Sequence, residues 1–275
     1  MTVATAPPER TNPATPSLAT RPGGLGRVTV FAGLSVALAA VATLTPVPPA
    51  LVPFLLAFGP TVFALILAWR EGGGAVRRLL RTAITRPNRR AWYAVLALPV
   101  AWALATVTVA IAVGEPTGGL FDKVFPAILI IPLVVLLPAF GEEIAWRGYA
   151  ATRLLPSMSP LAAALVLGVP WAAIHVFIQL PGQMNAGLEV WPTIVSLIGY
   201  SVILTWIYVG SGGSVLLTAL VHAGLNGMSP LMAGIETDRA WVIRALVVAG
   251  IATVVVATAA MNRQPAHARR TPVSA

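Results

Sequence analysis

Apolar residues run along this chain in long blocks, broken by short polar or Gly/Pro-rich stretches. The blocks are Val28–Thr45, Ala50–Trp69, Ala91–Val113, Val124–Phe140, Leu161–Ile178, Thr193–Val209, Val215–Ala233 and Ala240–Met261. Each is near the ~20 residues that a helix needs to cross the hydrocarbon core of a bilayer. Backbone polar groups in lipid must be satisfied within their own segment, so the pattern predicts helices. The expected fold is all-α, a polytopic transmembrane helix bundle of about eight spans. Residues 1–26, rich in Pro, Thr, Ala and Arg, have little to bury and read as a disordered tail. The breaks at Gln179–Pro192 and Ser211–Gly213 read as loops, which leaves one transmembrane domain over 27–262 and a polar C-terminal tail over 263–275.

Composition agrees with a membrane protein. The 275 residues are 57% hydrophobic and 10% charged, with a mean hydropathy of +0.83. No cysteine is present, which excludes disulfides, thiol nucleophiles, iron–sulfur clusters and cysteine–zinc sites. The net charge of +9 would suggest nucleic acid as a partner of a soluble protein, but here it maps onto topology. Between Arg70 and Arg90 lie seven arginines against one acid, Glu71. If that loop is cytoplasmic, both termini are too, and the inner side carries fifteen basic residues against four acids, the outer side three against five. That is the positive-inside asymmetry, so no nucleic-acid partner is inferred. Arg21 and Arg27, the run from Val28 and the small residues Ala37–Ala42 also resemble a secretory signal with a cleavage site. The apolar run continues to Thr45, and a retained helix is the reading adopted. The expected location is a bacterial cell membrane, with lipid as the surrounding partner.

Ionisable groups at membrane depth are costly, about 2.5–3.5 kcal/mol on insertion scales, and are candidates for function. Three places qualify. Glu142, Glu143 and Arg147 follow the fourth run; on a helix Glu143 and Arg147 are four apart, acid first, and share a face. Glu142 is turned roughly 100° away and stays free to act as a base. Arg147 and Arg153 could equally meet headgroup water. His175 sits within the fifth run, where it could serve chemistry or only hydrogen-bond a neighbouring helix. His222 and Asn226 in the seventh run are again four apart, so imidazole and carboxamide could face one developing oxyanion, or bond across helices as packing groups. Two carboxylates, two imidazoles and an amide can activate water and hold an oxyanion, which is the equipment of a hydrolase.

At these residues the chain resembles the CPBP (CAAX protease and bacteriocin-processing, or Abi) intramembrane endopeptidases. The family pattern of EExxxR, an aromatic-xxxH and HxxxN on successive helices is met by Glu142-Glu143-xxx-Arg147, Trp171-xxx-His175 and His222-xxx-Asn226. The likeness covers about Ala139–Ser229, which marks 139–229 as the catalytic core. The second motif usually begins with Phe; here it is Trp171, a departure expected to bear on packing more than on chemistry. The resemblance implies proteolysis within the bilayer. Glu142 and His175 would activate water, His222 and Asn226 would stabilise the oxyanion, and Glu143 with Arg147 would support the site. Glu142, His175 and His222 would be the metal ligands if the protein were a zinc enzyme. No HExxH is present, and a metal-free glutamate mechanism serves equally. The implied substrate is a membrane-associated or lipidated peptide or protein, although a bacterial source argues against prenylated CAAX proteins. The competing reading is a non-catalytic scaffold or immunity-type protein that grips a partner with the same polar cluster. A transporter would show repeat symmetry between its halves, and none is evident.

Overall fold

The structure, a computed structural model, describes residues 24–116, 135–231, 238–259 and 261, and among these the regular elements are all helices. In chain order they are α1 (Gly24–Leu44), α2 (Val52–Arg70), α3 (Ala75–Thr82), a 3-10 segment (Arg90–Ala97) leading into α4 (Leu98–Ala112), and α5 (Leu137–Glu143). After α5 come a π-helical segment (Ile144–Ala151), a last turn (Thr152–Leu154), α6 (Pro160–Phe177), α7 (Val190–Gly210), α8 (Val215–Leu231) and α9 (Asp238–Thr258). Six stretches among the described residues are long and apolar enough to cross a membrane: α1, α2, Arg90–Ala112, α6, α7 and α9. The polytopic all-α expectation therefore holds.

These stretches correspond to six of the eight expected runs. The seventh run forms α8, whose described apolar stretch is Val215–Met228, and residues 232–237 lie outside the described residues. Most of the fourth run, 124–134, lies outside the described residues, as do the C-terminal tail and residues 1–23. Helix α1 begins at Gly24, so the last three residues of the expected N-terminal tail form its first turn.

Local chemistry explains where the central helices begin. Ser159 is in extended conformation and its hydroxyl accepts the Ala162 N–H, with Pro160 at the first helical position; this fixes the start of α6. At α8 the turn before the helix needs positive φ at two successive residues, met by Gly212 (78°) and Gly213 (90°). The Ser214 hydroxyl then caps the helix by accepting the Leu217 N–H at 3.2 Å, and it donates to the Thr85 carbonyl. The Asn88 N–H bonds the Ser211 carbonyl at 2.9 Å, so the segment after α3 clasps this turn and sets the register of α8.

Packing brings these elements around the motif-bearing helices. Helix α6 packs on α7, α7 on α9, and α1 on both α2 and α6; α8 lies against α4 and α5, and α5 against α2. Glycines allow the closest approaches: a Cβ at Gly224 of α8 would lie 2.6 Å from the Pro99 Cγ of α4. At Gly148 it would lie 2.9 Å from the Thr82 Oγ1 of α3. Thr61 of α2 donates to the Gly141 carbonyl, which seats α5 one residue before the glutamates.

One charged cluster ties the start of α1, the end of α2 and the turn after the π-helical segment. Arg153, in the turn after the π-helical segment, grips Glu71 at the end of α2 with both Nε (3.0 Å) and Nη2 (2.7 Å). Arg27 of α1 approaches the same carboxylate at 3.2 Å. Burial pushes the Glu71 carboxyl up, but the hydrogen bond and charge of Arg153, then those of Arg27, outweigh it and hold the group below its ordinary value. A depressed carboxylate adds stability that is present above its unfolded pKa and lost as pH falls through the folded one. Native protein is therefore expected to exceed Glu71→Gln in thermal stability at neutral pH. The gap should persist through pH 5, then close as the pH falls below the ordinary carboxylate range, about 4.3 for Glu. Melting in detergent across pH, with the two proteins compared at each point, checks this.

Candidate active site

The glutamate pair sits where α5 gives way to the π-helical segment, a geometry that recurs at functional sites. Glu143 and Arg147 are both fully buried, and Arg147 Nη1 donates to Glu143 Oε1 at 2.7 Å. The interfacial reading of Arg147 is thereby overturned. From α8, His222 Nδ1 reaches the same Oε1 at 3.0 Å. With a carboxylate as acceptor, Nδ1 carries the proton and Nε2 is the nitrogen left for other chemistry. Glu143 thus joins the first motif to the third.

Glu142 makes a different connection. It lies outside the Glu143–Arg147 pair, and Trp171 Nε1 donates to its Oε2 at 2.7 Å, linking α5 to α6. The carboxylate is nearly buried, at 8% exposure, and this is the hydrogen bond it accepts among the described residues. One turn along α6, His175 Nδ1 lies 2.9 Å from the Trp171 carbonyl. A carbonyl only accepts, so Nδ1 is the protonated nitrogen and, in the neutral ring, Nε2 holds the lone pair.

Trp171 is the common neighbour of all three motifs. Its ring meets the His222 ring at 5.4 Å and 76°, and the His175 ring at 5.9 Å and 86°. The Arg147 guanidinium lies 4.8 Å from its centroid, within cation–π range. Glu142, Arg147, His175 and His222 are therefore gathered around one indole, and Glu143 joins them through Arg147 and His222. Asn226, one turn beyond His222 on α8, is exposed. The role of Trp171 escaped sequence reading because a contact across helices leaves no spacing signature. The departure from Phe, expected to affect packing, instead adds a donor aimed at a carboxylate.

The zinc alternative fits poorly. Among the described residues no three of His, Cys, Asp and Glu stand together as a group able to hold a metal ion. The bonds to Trp171 and Glu143 leave Glu142 Oε1, His175 Nε2 and His222 Nε2 free, but among the described residues these three side chains do not come together as a ligand set.

Comparison with known proteins points the same way as the geometry. Residues 123–228 match the family described as Type II CAAX prenyl endopeptidase Rce1-like. The motif-bearing part of the chain is similar to this family. Its Rce1-like region contains all three motifs, as the resemblance to CPBP endopeptidases requires. The chain is also similar to a protein named CAAX prenyl protease 2 from Methanococcus maripaludis, at 27% identity over 125 residues. That match covers 42% of this chain and 45% of the relative, so less than half the length of either protein is shared.

Proposed function

We propose that this protein is an intramembrane endopeptidase that hydrolyses a peptide bond in a membrane-associated or lipidated peptide or protein. The observation that carries the reading is the convergence of Glu142, His175 and His222 on one buried indole, from three different helices. Burial behind apolar helices supports chemistry on a substrate segment that enters from the membrane.

In the proposed reaction Glu142 takes a proton from a water that His175 Nε2 orients by accepting its other hydrogen. The hydroxide attacks the scissile carbonyl carbon and the carbonyl oxygen becomes an oxyanion. His222 in its doubly protonated form, held through Nδ1 by Glu143, donates from Nε2 to that oxyanion, and Asn226 donates from its amide. Collapse of the intermediate breaks the C–N bond, and Glu142 returns its proton to the leaving amine. Arg147 neutralises Glu143. No step uses a metal, because the donor set does not fit one.

The reading takes the arginine-rich loop and both termini as cytoplasmic, in the membrane of a bacterial cell, with 139–229 as the catalytic core of a single domain. Membrane proteomes of cells with the native protein and with Glu142→Ala test it. Peptides with new termini should appear only with the former. Equal peptide sets, with both proteins inserted at equal levels, would favour a scaffold that merely binds a partner.

A further inference from the structure

The contacts of Trp171 go beyond packing. The geometry points to Trp171 as a positioning residue that orients both members of the water-activating pair, Glu142 through its side chain and His175 through its main chain. This rests on the endopeptidase reading above.

A glutamate on a helix has three rotatable side-chain bonds, and a base with freedom about them spends little time in the productive geometry. The Trp171 indole N–H, 2.7 Å from Oε2, removes that freedom and leaves Oε1 as the oxygen that can take a proton. The same residue's carbonyl, 2.9 Å from His175 Nδ1, fixes the tautomer in which Nε2 holds the lone pair. The indole is itself immobilised: it is buried to 2% exposure and flanked by Trp146, His222 and the Arg147 guanidinium. Pro170, immediately before it, locks the local φ within α6. Phenylalanine at this place would keep the stacking and the carbonyl but lose the N–H. The two halves of the clamp can therefore be separated experimentally.

Two changes remove the donor alone. Trp171→Phe keeps an aromatic ring, and incorporation of 3-benzothienylalanine at 171 keeps the indole's shape while replacing N–H by sulfur. A hydrogen bond to a charged group is among the stronger ones, so the Glu142-dependent peptides in cells should fall about tenfold to a hundredfold in either case, at equal protein level and melting temperature. The accompanying spectroscopic readout is the indole N–H resonance of Trp171 in 15N-labelled protein. It should lie downfield in native protein and move upfield on Glu142→Ala, which a purely structural tryptophan would not show. Glu142-dependent peptides that persist unchanged without the donor would overturn the positioning role and leave the protease reading intact. An indole resonance indifferent to Glu142→Ala would overturn it too. Absence of any Glu142-dependent peptide would remove the protease reading and this inference with it.

Discussion

Glu142→Gln should lower kcat by about 10²- to 10⁴-fold, the usual contribution of a positioned general base, while the protein stays folded and inserted. The substitution is nearly isosteric. The amide oxygen can still accept the Trp171 N–H, so the link between α5 and α6 is retained. What disappears is the capacity to take a proton from water and return it to the leaving amine. Purified native and variant protein in liposomes, given a peptide identified as Glu142-dependent in cells, provide the comparison. A variant that keeps its rate would assign the proton transfer elsewhere.

The second large effect is on stability. Glu143→Ala should destabilise the protein by about 3–5 kcal/mol, because it leaves the fully buried Arg147 guanidinium without its counter-charge. Arg147→Ala should do less harm, since His222 still bonds Glu143. Replacing Glu143 and Arg147 together by Leu and Met should recover most of the loss, as removal of a whole buried pair is often neutral. Arg147 Nε and Nη2 find no hydrogen-bond partner among the described residues, so the pair is not an optimised stabilising device. Its retention is better explained by the site, where Glu143 holds His222. Unfolding in detergent measures the three variants; the double variant should be folded and inactive. Destabilisation of the double variant by the sum of the two single losses would show that the pair is not coupled.

Much of this architecture was legible in the sequence. Lipid admits few backbone solutions, so long apolar blocks translate almost directly into helices, as α1, α2, α6, α7 and α9 show. The Glu143–Arg147 pair was readable from i, i+4 spacing. The 3-10 stretch Arg90–Ala97 and the π-helical stretch Ile144–Ala151 were not, since an apolar run carries no mark of how tightly the backbone winds. Nor were the Trp171–Glu142 and Arg153–Glu71 bonds, which join residues 29 and 82 positions apart. Arg153 could be expected only to meet headgroup water; once α2 and the turn after the π-helical segment meet, it closes on Glu71 together with Arg27.

Oxygen incorporation tests the proposed hydrolysis most directly. Native protein in liposomes, incubated with a Glu142-dependent peptide in ¹⁸O-labelled water, should yield a product whose new carboxyl terminus carries ¹⁸O, and Glu142→Gln should yield almost none. No labelled product from native protein, or equal labelled product from both, would contradict it.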